Sequence, residues 1–264
     1  MIKPFRQLLF FPFLMLFLGF VTPIQAAGSS PVIERIQRTG ELVLGTTGTT
    51  PPLSMKQDNG QIVGMDVDIA RLLADSLSVK LRIRTMPFTE LIPALQAHKV
   101  DLVIANMTIT PERNMQVAFV GPYMKSGKCT LSKNDTLAKA EQAADLNSPK
   151  LRISALAGST SAAYVKQELP KVQLITMPDH DSAIKQVLNG KADMMLTEYP
   201  TCVATLKHYP DSGLVSMGSM LSYEPIGIAL SPADPLFINL VENFLNQLEI
   251  AGGLEALQKR WLEQ

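Results

Sequence analysis

In residues 101–123, DLVIANMTITPERNMQVAFVGPY, an arginine stands a few positions behind a short apolar run. Leu102, Val103 and Ile104 have the length and β-branching of a buried parallel strand. The chain then turns polar at Asn106 and Thr108. Thr110-Pro111-Glu112 reads as a helix start: a capping threonine, a proline where its missing N–H does no harm, and an acid in the first turn. Arg113 therefore falls in the first turn of a helix, just past the carboxyl end of a strand, where open α/β sheets bind ligands. Its planar fork can donate two parallel hydrogen bonds to a carboxylate or phosphate. Taken by itself it is more readily read as a solvated helix residue, which is where most arginines sit. Glu198 follows a second apolar strand, and an acid there is rarely core unless paired. Gly158-Ser159-Thr160 opens another helix, whose free N–H groups and dipole favour an anion. The same tripeptide also caps helices that bind nothing.

The hydrophobic periodicity around these residues marks two similar runs of elements. Residues 32–38 read as a short amphipathic helix ended by Gly40, 41–46 as a strand, and 47–52 as a polar turn. Asp66 is placed to cap a helix in which Val67, Ala70, Leu73, Ala74 and Leu77 recur at helical spacing. Residues 81–84 alternate as a strand, and Phe88 precedes a helix through Leu91, Ile92 and Leu95. With residues 102–104 this makes β-α-β-α-β, a right-handed parallel unit. The same order returns with strands at 151–155, 172–176 and 192–196. Its helices open at Gly158 and at Asp181, the second ending at Asn189-Gly190. The halves share a spacing as well: Ile92, Leu95, Lys99 and Asp101 are matched at identical intervals by Ile184, Val187, Lys191 and Asp193. The expectation is an α/β protein of two similar lobes whose strand ends face a common cleft, a preferred place for ligands. Residues 223–230 add a strand, and the last helices start at Pro235 and Gly253. This tail is expected to rejoin lobe 1, giving residues 27–125 and 222–264 to lobe 1 and 126–221 to lobe 2. Two crossings, near 123–129 and 222–228, then form a hinge.

Composition narrows the setting. Lys3 and Arg6 precede an apolar core over residues 8–21, and a small-residue cleavage site at 24–26 follows, the pattern of a secretory signal. No cysteine lies near that site, so a lipid anchor is not offered. Removing 1–26 leaves 24 acids against 22 bases, a net charge of about −2, and no basic face for nucleic acid. The remaining chain suffices for two ordinary domains. Cys129 and Cys202 are free to pair in an oxidising compartment or to stay as buried thiols. His98, His180 and His208 are scattered, with no metal-ligand spacing. Neither a nucleophile elbow nor a phosphate-binding glycine loop is present in the sequence. No cofactor or metal is expected.

Five blocks, in order, carry a resemblance: GMDVDIA at 64–70, DLVIANMTITPER at 101–113, FVGPY at 119–123, AGSTSAAY at 157–164 and GKADMMLTEYP at 190–200. They are similar to periplasmic amino-acid-binding proteins of solute-binding family 3. The resemblance implies the two-lobed type II periplasmic binding fold, each lobe a mainly parallel sheet flanked by helices. It implies a monomer in the periplasm that hands a small carboxylate or amino acid to an inner-membrane ABC transporter permease. By that resemblance Arg113 grips the ligand's α-carboxylate with Thr108 and Asn106, while Ser159 and Thr160 meet it from across the cleft. Glu198 takes the α-ammonium, Phe88 packs on the ligand side chain, and Thr50 stands where several members carry a tyrosine. On its own, Phe88 is more readily read as a core aromatic. The chain departs from the pattern in having Glu198 where aspartate is usual and Leu53 where phenylalanine is common. It also resembles secreted cyclohexadienyl dehydratases, through ERIQRTGELVLGTTG at 34–48 and GKADMMLTEY at 190–199. Those enzymes carry a proton-donating glutamate about one turn beyond the strand-end acid, where this chain has Thr201. The binding protein is the expected reading, and the dehydratase is the alternative.

Overall fold

The computed structural model describes residues 30–134, 137, 146–216 and 222–263. The secretory-signal reading of residues 1–26 lies outside them. The elements in chain order are α1 (Pro31–Thr39), β1 (Glu41–Thr46), β2 (Thr49–Thr50), β3 (Ser54–Lys56), β4 (Ile62–Val63), α2 (Met65–Ser76) and β5 (Lys80–Thr85). A 3-10 turn (Phe88–Glu90) leads into α3 (Leu91–Gln96), followed by β6 (Leu102–Val103), α4 (Pro111–Asn114), β7 (Ala118–Ser126) and β8 (Lys128–Ser132). The second half holds β9 (Arg152–Leu156), α5 (Thr160–Glu168), β10 (Gln173–Met177), α6 (His180–Leu188), β11 (Met194–Glu198), α7 (Tyr199–His208) and β12 (Val215–Ser216). Finally come β13 (Glu224–Leu230), α8 (Pro235–Ile250) and α9 (Gly253–Leu262).

These form two five-stranded sheets, in the orders β5-β1-β6-β13-β7 and β10-β9-β11-β8-β12, and a small sheet β2-β3-β4. In each large sheet three parallel strands come from one β-α-β-α-β run. Two antiparallel strands, β13 and β7 in one and β8 and β12 in the other, complete them. The chain changes sheet at Gly127, between β7 and β8, and again between β12 and β13. Alternating side chains bury both faces of each sheet. Leu42 and Leu44 join one apolar cluster while Val43 joins another. Met194 and Leu196 likewise part from Met195, as a period-2 strand requires.

Two acids at matched positions tie each third strand to the first strand of its own sheet. Asp101 accepts from the backbone N–H of Val43 at 2.6 Å and from Arg35 Nε at 2.9 Å. Asp193 accepts from the N–H of Arg152 and from its guanidinium, both at 2.8 Å. The pairing of the cysteines, open in the sequence, is settled: Cys129 on β8 and Cys202 on α7 form a disulfide. It links the helix behind β11 to the strand that enters the second sheet.

Asp66 is not the cap of α2. Gly64 holds that position at φ 137°, where a Cβ would lie 2.1 Å from the Leu53 carbonyl oxygen. The close approach lets Asp66 N donate to Leu53 O at 3.0 Å, pinning the Thr50 turn to the helix. The Asp66 side chain is instead buried in the first helical turn. It accepts from Tyr123 Oη at 2.7 Å and from the backbone N–H of Asn106 at 2.9 Å, holding Asn106 at φ 51°. Burial outweighs these bonds and pushes its carboxyl up from 3.8 to about 6. The folded state thus holds the proton more tightly than the unfolded chain does. From this group alone, stability is full below pH 4 and falls by about 3 kcal/mol as pH rises to about 6. Urea unfolding from pH 4 to 7 should therefore show a flatter profile for Asp66→Asn than for the parent. Parallel profiles would acquit this carboxyl.

Candidate functional site

The site is assembled from the carboxyl ends of β6 and β11 and the amino ends of α4, α5 and α6. Thr110 caps α4 by accepting from Arg113 N at 3.3 Å, so the arginine side chain leaves the first turn beside the end of β6. Its Nη1 donates to Thr108 O at 2.7 Å and its Nη2 to Gly158 O, in the second lobe, at 3.1 Å. The guanidinium lies 5.3 Å from the centre of the Phe88 ring, within cation–π range. Burial lowers its pKa, while the charges of Glu198, Glu224 and Glu112 act in the opposite sense.

Facing it, Ser159 is the cap of α5. Its hydroxyl accepts from Ala162 N at 3.1 Å and donates to Leu156 O at 2.7 Å, so the capping role is real. Thr160 Oγ1 lies 3.4 Å from Thr108 Oγ1 across the seam. It also accepts from Lys128 Nζ at 3.0 Å and donates to Glu224 Oε2 at 3.1 Å. Lys128 and Glu224 form a buried ion pair. They stand at the two chain crossings, one at the start of β8 and the other at the start of β13.

Glu198, the last residue of β11, is buried. Ser161 Oγ donates to its Oε1 at 3.0 Å and Thr197 Oγ1 to its Oε2 at 3.3 Å. His180 Nε2 is 3.6 Å from Oε2, just beyond hydrogen-bond length. Desolvation by itself would raise this carboxyl. The combined pull of His180, Lys128 and Ser161 wins and draws it from 4.5 down to about 2. Glu198 is therefore ionised throughout the physiological range.

Seven of the eight expected site residues, Phe88, Asn106, Thr108, Arg113, Ser159, Thr160 and Glu198, line one cavity of about 10 Å³. Thr50 does not line it, but its Oγ1 reaches the ring of His180, which does, at 3.4 Å. Contacts across the seam at Arg113–Gly158, Thr108–Thr160 and Thr50–His180 leave this small volume. Asn106 Oδ1 and His180 Nε2 are both buried without a hydrogen-bond partner among the described residues. A larger and mostly apolar groove of about 740 Å³ runs beside the cavity and shares only His180 with it. Neither Arg113 nor Glu198 is in its wall.

Reading from sequence missed His180, Ser161, Lys128 and Glu224. His180 had a signal: the interval that carries Ile92 to Ile184 also carries Phe88 to His180 and Asn106 to Glu198. Phe88, His180, Asn106 and Glu198 all line the cavity. For Lys128 and Glu224, 96 positions apart, no local pattern exists.

Two facing sheets, with a guanidinium on one wall and an ionised carboxylate on the other, are the architecture of the type II periplasmic binding proteins. The chain belongs to the bacterial extracellular solute-binding proteins, family 3, which it matches over residues 42–264. Among curated relatives it is 27% identical over 231 residues to the cyclohexadienyl dehydratase of Pseudomonas aeruginosa, covering 88% of this chain and 86% of that one. It is 28% identical over 223 residues to the ABC transporter arginine-binding protein 1 of Escherichia coli strain K12, covering 83% and 90%. Among solved structures it is similar to a binding component of an ABC transporter from Wolinella succinogenes complexed with lysine. There the TM-score is 0.81 at 35% identity, over 85% of this chain and 97% of that chain.

Proposed function

We propose that this solute-binding protein works in the periplasm, after loss of residues 1–26, as the carrier of an α-amino acid for an ABC transporter. Arg113, with Thr108 and the amino end of α5, takes the α-carboxylate; Glu198 takes the α-ammonium. The observation that carries the reading is that Arg113 and Glu198 line one cavity from opposite lobes. A volume of about 10 Å³ has room for about one water and none for an amino acid. Entry of a ligand therefore requires the lobes, 27–125 with 222–264 against 126–221, to part at the two crossings and break the three seam contacts. Reclosing around the ligand excludes water and strengthens both charge contacts. Energy for release comes from the transporter.

The dehydratase reading is less well supported. A general acid works best with a pKa near the operating pH, and Glu198 lies at about 2. Thr201, at the position of the expected proton donor, is a buried hydroxyl lining the side groove. A thermal-shift screen of the chain from residue 27 tests the carrier reading, because a cleft ligand stabilises by mass action. At a hundred times its Kd, a single-site ligand adds about 2.7 kcal/mol. A shift from at least one amino acid is expected, together with no aromatic product absorbance from prephenate or arogenate. Turnover of either precursor would sink the carrier reading.

A further inference from the structure

The charges of the closed cleft bear on which amino acid it takes, given the carrier reading above. Among the residues lining the cavity, Arg113 and Glu198 carry opposite charges, which the two ends of a zwitterion use, and His180 is the remaining titratable group. The other acids nearby are committed. Glu224 is held by Lys128, Thr160 and Ser222. Asp66 is held behind Asn106 by Tyr123 and a backbone N–H. Asp181, next to His180, is exposed and paired with Lys185 and Tyr209. A cationic side chain closed into this cleft would be a buried charge without a counter-ion, the costliest kind of burial.

His180 is of the opposite character. Its side chain is 6% exposed, its Nδ1 meets Thr50 Oγ1 at 3.4 Å, and its Nε2, 3.6 Å from Glu198 Oε2, has no partner within hydrogen-bond length among the described residues. With the Thr50 hydroxyl as donor to Nδ1, Nε2 is the ring's N–H, facing Glu198 at the edge of the cavity and open to a ligand oxygen beside it. Asn106 Oδ1, also unpartnered, offers an acceptor. We infer that the cleft selects amino acids whose side chain ends in a carboxamide, with His180 donating to its oxygen and Asn106 accepting from its N–H, and disfavours charged side chains of either sign. This differs from the Wolinella relative, whose structure holds lysine.

Isothermal titration of the chain from residue 27 at neutral pH, with glutamine, glutamate, lysine, arginine and leucine, provides the test. Glutamine should bind at least about 30-fold more tightly than glutamate, lysine or arginine, about 2 kcal/mol. His180→Glu should improve lysine binding at least about tenfold, with circular dichroism showing the variant folded. His180→Leu, which removes the donor, should weaken glutamine at least about tenfold. Glutamate, lysine, arginine or leucine binding the parent as tightly as glutamine overturns the inference and leaves the carrier reading standing. An unchanged ranking in the folded His180 variants overturns the role of His180. Binding of no amino acid by the parent overturns the carrier reading, and this inference with it.

Discussion

Replacing Arg113 by alanine is expected to weaken ligand binding by two to three orders of magnitude, about 3–4 kcal/mol, while leaving the unliganded fold intact. Truncating one partner of a desolvated charge pair has effects of this size, because the other charge is left buried and unanswered. The fold should survive because the side chain contributes to no core cluster and makes its hydrogen bonds to two loop carbonyls, Thr108 O and Gly158 O. Arg113→Lys keeps the charge but loses the planar fork and the stacking on Phe88, so it should fall between the two. Titration calorimetry with the ligand found in the screen, alongside thermal unfolding of the free proteins, reads both effects. An unchanged Kd in Arg113→Ala would remove this arginine from the site.

The second large effect lies at the hinge. Lys128→Met leaves the Glu224 carboxylate buried beside Thr160 and Ser222 without its counter-ion, and stability should drop by about 3–5 kcal/mol. Replacing both partners, Lys128→Met with Glu224→Leu, should recover most of the loss, since apolar groups of similar volume need no compensation. Urea denaturation of the parent, the single and the double variants at neutral pH measures both effects. A loss below about 1 kcal/mol, the range of an exposed pair, would mean that water reaches this ion pair at the hinge.

Most of the architecture was legible in the residues because its signals are local. Helix starts at Thr110 and Ser159 are capping side chains within three residues of the N–H they satisfy. The strands are recognisable because alternation and apolar runs depend only on neighbouring positions. Repeated spacing from Ile92 and Ile184 reported two lobes of one design, and the same interval linked Asn106 to Glu198. Asp66 was misread for the same reason: an acid at a helix start looks like a cap, and its burial depends on Tyr123, 57 positions away.

The chain's own order of residues thus determined the two α/β runs, the strand-end placement of Arg113 and Glu198, and the helix amino end at Ser159. Only the tertiary structure decided that Cys129 meets Cys202, that Lys128 and Glu224 neutralise one another at the crossings, and that His180 faces Glu198. These are pairings between groups remote along the chain. They are set by how two sheets pack and close, and neither residue of such a pair carries a mark of its partner in the sequence around it.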